Sequence, residues 1–172
     1  MTDARMSPWQ DGDPAPPELL ASIKARRPNG QLIDLDRYLL KSFPLAAGWN
    51  ALLARVRGEF QLDLAYREMI ICRVAHLNRA EFEWTIHKPV YLEAGGTEAK
   101  AEALRLDTIA PLFDEKETLL LTLTDQSTRH VEVDKAVIAE LKTLFGEQQA
   151  VEAVATIATY NMVSRFLVAL AI

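Results

Sequence analysis

Apolar residues recur along this chain at intervals of three and four rather than two, so the pattern predicts helices and no sheet. Leu19, Leu20 and Ile23 share one face of a segment that opens at Pro17, and Arg27, Pro28, Asn29 and Gly30 form the breaker cluster that ends it. A second helix is expected from about Asp34 to Leu40. Pro44 then occupies the first turn of a third, Leu45 to Arg57, where its preset backbone angle fits and where Leu45, Trp49, Leu52, Leu53 and Val56 line one side. The segment from Leu64 to about Asn78 places Ala65, Met69, Cys72, Arg73 and His76 on one side and fills the rest with Ile70, Ile71, Val74 and Leu77. It is apolar over too much of its circumference for a surface helix and is expected at the centre of the core. Glu81 to about Glu93 follows, stopped by Gly95 and Gly96, where a left-handed C-cap is expected, and Thr97 can cap the next helix through Arg105. Helices near Glu115–Gln126, Asp134–Phe145 and Glu147 to about Ile172, the last broken once near Thr159, complete the pattern. No repeat and no hairpin signal appears; Val131 to Val133 is too short for a strand. The first 17 residues, MTDARMSPWQDGDPAPP, set few apolar side chains among prolines and acids and read as a loose arm or a strap across a neighbour. The expectation is an all-α bundle of about eight to ten helices, one domain over 18–172.

Composition supports the helical reading and narrows the chemistry. The 172 residues include 24 Ala and 24 Leu, two strong helix formers, against 30 Val, Ile and Thr together. One cysteine, Cys72, excludes an intrachain disulfide, a four-cysteine zinc site and a two-thiol redox cycle within the chain. A net charge of −5, with basic residues scattered apart from Lys24, Arg26 and Arg27, offers no concentrated positive face, so no nucleic-acid partner is expected. The N-terminal acids and prolines stand where a secretion signal would be apolar, and a cytoplasmic protein is expected. Glu152, Asn161 and Arg165 interrupt the long C-terminal apolar run, which favours a buried helix over a membrane span.

The chemistry-bearing stretch is LAYREMIICRVAHLNRAEFEWTIHKPVYLEAGG, from Leu64 to Gly96. Glu83 and His87 are four apart on a helix, so a carboxylate stacks beside an imidazole and can orient it and raise its proton affinity. Two antiparallel helices joined near Arg79 bring Glu68 toward the same ring. The same spacing also suits a solvated surface pair, and Trp84 suits a core as well as a ligand. Glu68, Glu83 and His87 could supply three metal ligands, but no second histidine shares their face, and no metal is expected.

The order RE, then EW fifteen residues on, then H and AG, carried by Arg67, Glu68, Glu83, Trp84, His87, Ala94 and Gly95, resembles the carboxymuconolactone decarboxylase family, within the alkylhydroperoxidase D-like superfamily. FPLAAGWNALLARV is similar to that family's helix before the core and TYNMVSRFLVAL to its closing helix, so the resemblance runs from about Phe43 to the C-terminus. The peroxidase branch carries a CxxC whose second cysteine lies four residues before the histidine. Ala80 and Glu83 stand at those positions here, and neither forms a sulfenate or a disulfide. Cys72, among Ile70, Ile71 and Val74, reads as a buried, inert thiol.

The resemblance implies an AhpD-like helical bundle and a cofactor-free lyase of aromatic-compound catabolism, acting on a small cyclic carboxylate or lactone. The chain would form a homo-oligomer, whether dimer, trimer or hexamer; the Ala-rich run Ala150, Ala153, Ala155 and Ala158 suits such a face and equally suits internal packing. In that reading His87 donates a proton, Glu83 orients and tunes it, and Glu68 is a second proton partner. Arg73 or Arg165 holds a substrate carboxylate, and Trp84 lines the pocket. Arg165 could instead pair with Glu152. A non-catalytic small-molecule binder, or a cofactor-free hydratase or isomerase, would use the same three polar residues.

Overall fold

The computed structural model describes residues 5–172, so the first four residues of the expected arm lie outside the described residues. Among the described residues the chain forms eight α-helices and one 3₁₀ turn with no strand, an all-α fold as the periodicity predicts. The chain forms two compact units. One runs to Glu59 and includes Leu170–Ile172; the other is Phe60–Ala169. The division falls at Glu59, the C-cap of a long helix, whose φ of −120° ends the helical path.

The N-terminal unit contains α1 (Pro17–Lys24), the 3₁₀ turn Pro28–Gly30, α2 (Asp34–Leu39) and α3 (Phe43–Gly58). Both α1 and α2 pack on α3. Asp36 accepts two hydrogen bonds from Arg27, at 2.8 and 2.6 Å, and a third from the Ile33 N–H, which ties the breaker cluster to the start of α2. The expected loose arm is anchored within this unit: Trp9 is buried, its N–H donates to the Arg37 carbonyl at 3.0 Å, and Arg37 pairs with Asp11 at 2.9 Å. One large ring in an otherwise polar segment was enough to pin it. On α3 the buried set is Ala46, Trp49, Leu53 and Val56, whereas Leu45 and Leu52 are exposed.

The second unit contains α4 (Leu64–Leu77), α5 (Glu81–Glu93), α6 (Glu98–Ala103), α7 (Glu115–His130) and all but the last residue of α8 (Lys135–Leu170). Every residue of α4 from Arg67 to Ala75 is buried, and α4 packs on both α5 and α7, the central position its apolar circumference predicts. Side-chain caps start three of these helices: Asp63 accepts from the Ala65 N–H, Thr97 from Lys100, and Asp114 exchanges hydrogen bonds with Glu117 in a capping box. Both ends of the α4–α5 pair close with the same device. The Ala80 N–H reaches the Ala75 carbonyl and the Arg79 N–H that of His76, with Arg79 left-handed at φ 58°; Gly96 and Gly95 repeat the pattern on Tyr91 and Leu92. The α8 helix bends at Gly146 (φ 77°), which separates the two predicted segments, and continues without a break through Thr159. By length and composition α8 could cross a membrane, but half of its most apolar window is buried in the fold.

A polar lattice fixes the α4–α5 turn. Asn78 donates to Asn161 Oδ1 at 2.9 Å and to Ser164 Oγ at 2.7 Å, and Asn161 donates on to Thr128 of α7 at 3.0 Å. Arg73, 1% exposed, makes a two-pronged pair with Asp125 at 2.7 and 2.6 Å and donates to the Leu104 and Leu106 carbonyls, clamping the segment after α6.

Two glycines make opposite predictions. A Cβ on Gly96 would stand 2.6 Å from the buried Tyr91 ring, whereas one on Gly48, inside α3, would meet nothing within 4 Å. Gly96→Ala is expected to lower stability by about 1–3 kcal/mol through overpacking, and Gly48→Ala to raise it by about 0.5–1 kcal/mol through helix propensity. Urea denaturation of the two variants checks both signs.

Candidate active site

The closed turn at Asn78–Ala80 runs α5 back antiparallel along α4, and this register sets Glu68 against His87. His87 Nδ1 lies 2.6 Å from Glu68 Oε2, a short hydrogen bond in which the ring N–H donates. On the opposite edge of the ring, Nε2 lies 3.3 Å from Glu83 Oε2, the neighbour one helical turn earlier. No hydrogen bond joins these two atoms, and neither has another partner. Glu83, Glu68 and His87 are 2%, 3% and 5% exposed, so the three groups are brought together in the interior.

Charge balance explains how such a cluster persists. Arg67 Nε lies 3.8 Å from Glu68 Oε1, so a protonated His87 makes the set two cations and two anions. Burial alone would push the imidazole pKa down, but the Glu68 hydrogen bond, the close approach of the Glu83 carboxylate and the charges of both outweigh it and hold the pKa above its ordinary value. The same surroundings act oppositely on Cys72, which burial, then Glu68 and Glu83, push up to about 12. The thiol is fully buried and neutral at physiological pH.

The carboxylates address different ring nitrogens from opposite sides, so the three residues do not converge on one point as metal ligands would. Among the described residues no group of three histidine, cysteine or acidic side chains is placed to hold a metal ion.

The remaining candidates fall elsewhere. Trp84 is buried with the Arg105 guanidinium 4.4 Å above its ring, and Arg105 in turn holds Glu81 at 2.6 and 2.7 Å. Arg73 spends four of its five N–H donors on Asp125 and two carbonyls. Arg165 is exposed and donates to Asn161 Oδ1 at 2.5 Å; Glu152, its expected partner, instead accepts from the Leu62 N–H and from Gln148. An apolar cleft of about 380 Å³ opens at the Gly146 bend of α8, but its titratable groups, Lys142 and Glu147, pair with each other at 2.8 Å.

Two residues at the site have no role in the sequence reading. Tyr160 of α8 meets the His87 ring edge-on, with centroids 5.1 Å apart and planes at 88°. It lies within the closing-helix motif, yet 73 residues from His87, where spacing is silent. Arg67 was visible as the R of RE, but its nearness to Glu68 depends on side-chain direction rather than sequence order.

Residues 44–126 match the model of the carboxymuconolactone decarboxylase family. The chain is also similar to an uncharacterized peroxidase-related protein from Silicibacter sp. TM1040, with 21% identity, a TM-score of 0.80, and 100% of this chain and 94% of that one covered. A protein of unknown function from Agrobacterium tumefaciens, described as a putative antioxidant defence protein AhpD, shares 21% identity at a TM-score of 0.66, covering 72% of this chain and 86% of that one. At this identity the two structures establish the AhpD-like fold alone. No curated protein matches the chain.

The raised His87 pKa makes a signed prediction. The stability contributed by the protonated ring is fully present below the unfolded value of 6.5 and is lost as pH rises through the higher folded value. In urea titrations, the advantage of the native protein over His87→Asn should therefore shrink as pH rises above 6.5. A constant difference would contradict the raised pKa.

Proposed function

From the match of residues 44–126 to the carboxymuconolactone decarboxylase family model, we propose that the chain is a cofactor-independent decarboxylase-like lyase that protonates a small cyclic carboxylate or lactone substrate, without thiol peroxidase activity. One observation carries this reading: a buried imidazole held at Nδ1 by Glu68 while Nε2 faces Glu83 with no hydrogen bond. A lactone acid that loses carbon dioxide passes an electron pair into its conjugated carbonyl, and a carbon must then gain a proton. His87 supplies it from Nε2. Glu68, through the 2.6 Å contact, fixes the ring and its tautomer, and Glu83 is the second proton partner. These carboxylate roles are the reverse of those expected from the i, i+4 spacing, because the cross-helix contact is the shorter one.

Arg165 is the better of the two candidate anchors for a substrate carboxylate. Arg73 is already neutralised by Asp125, whereas Arg165 donates to an uncharged amide, that of Asn161. The absence of thiol chemistry rests on Ala80 and Glu83 at the CxxC positions and on the high pKa of Cys72.

Carbon dioxide release from lactone acids tests the reading. His87→Asn should lower turnover by about 100-fold or more with helicity unchanged, and native turnover should fall as pH rises through the His87 pKa. Glu68→Gln should reduce turnover and move that pH limb downward. Full activity in His87→Asn would remove the proposal, as would ligand-dependent melting shifts without any turnover.

A further inference from the structure

The geometry points to a second activity of this site: isomerisation of an unconjugated, β,γ-unsaturated lactone to its conjugated form, without loss of carbon dioxide and with Glu83 as the base. This rests on the reading of His87 as a proton donor at Nε2. Glu83 Oε2 and His87 Nε2 lie 3.3 Å apart, both buried and both without a hydrogen-bond partner. Buried polar atoms left unsatisfied are costly and uncommon, and here two of opposite proton character stand side by side. Glu68 holds the far nitrogen at 2.6 Å, so the ring cannot turn Nε2 away.

In such a lactone one carbon lies between the carbonyl and the double bond, and its C–H is acidified by both. Glu83 Oε2 takes that proton. The electron pair left behind forms the new double bond, and the old π pair moves to the far carbon, which takes the proton from His87 Nε2. One C–H bond breaks, one C–H bond forms and the double bond moves into conjugation, with no oxidant, reductant or co-reactant. Glu83 and His87 both end neutral, and return of the proton from Oε2 to Nε2 restores the starting charges. The gap it crosses is about 0.4 Å longer than an ordinary N–H···O contact. The link to decarboxylation is chemical: losing carbon dioxide and losing a proton leave the same electron pair conjugated with the same carbonyl. A lactone lacking the carboxyl group also needs no cation, which suits a site whose buried Arg73 is committed to Asp125.

The probe is α-angelica lactone, a β,γ-unsaturated lactone without a carboxyl group, followed by the ultraviolet absorbance of its conjugated isomer and, in heavy water, by deuterium at the far carbon. The native protein should convert it above the buffer rate. Glu83→Gln, close in shape, should lose about 100-fold or more, and Glu83→Asp, which keeps a base, should retain part; melting curves confirm that both variants fold. A native rate equal to buffer, or a Glu83→Gln rate equal to native, overturns the inference. Carbon dioxide release from a lactone acid, measured in parallel, separates the two readings. Release without lactone conversion overturns the isomerase alone; conversion without release supports the isomerase and removes the decarboxylase.

Discussion

The 2.6 Å hydrogen bond between Glu68 and His87 depends on the register of two antiparallel helices, and that register depends on three residues. Asn78, Arg79 and Ala80 close α4 and start α5 with no slack, Arg79 accepting a left-handed backbone conformation to do so. One residue more in this turn would rotate α5 by about 100° relative to α4, since an α-helix has about 3.6 residues per turn, and His87 would leave the Glu68 side. The Asn78 lattice to Asn161, Ser164 and Thr128 and the Arg73 clamp on Asp125 hold α4 against α7 and α8, so much of the buried polar structure in this unit serves to keep one pair of helices in one register.

The charges at the site have two consequences that a single field explains. Two carboxylates placed beside a buried ring stabilise its cationic form against the desolvation that opposes it. The same carboxylates destabilise an anion on Cys72, one helical turn beyond Glu68, and add to burial in keeping that thiol protonated. The field that favours imidazolium at His87 thus disfavours thiolate at Cys72. Arg67 limits the negative charge, so the protonated cluster is close to neutral in an interior that penalises net charge.

Helix existence was legible because it rests on local periodicity: α4 was identifiable as central from its apolar circumference, and Thr97 as a cap from its place after two glycines. Of the candidate site, the i, i+4 pair Glu83 and His87 was readable directly, and Glu68 followed once two helices were joined near Arg79. What was not legible depends on side-chain direction across long sequence separations. Tyr160 reaches His87 from α8, and Arg73, a chemically reasonable anion clamp in the sequence, is consumed by Asp125 from 52 residues away. The loose-arm reading missed Trp9 for a related reason: a segment mean counts one tryptophan among many polar residues, whereas burial is decided by the ring itself. Periodicity also placed Leu45 and Leu52 inside, although they lie at the margins of the α3 stripe and are exposed.

Position 83 concentrates the difference between this chain and the thiol branch it resembles. The i, i+4 geometry of α5 places whatever residue stands there beside Nε2 of His87, here at 3.3 Å. A cysteine at that point would be a thiol next to an imidazole, the arrangement that lowers a thiol's pKa and makes it a nucleophile. Glutamate at the same point cannot pair with a second thiol, and it reverses the direction in which the pair influences each other: the acid raises the affinity of the ring for its proton rather than surrendering one to it. One helical position thus determines whether the same buried imidazole stands beside a thiol that can be activated or a carboxylate that can share its proton.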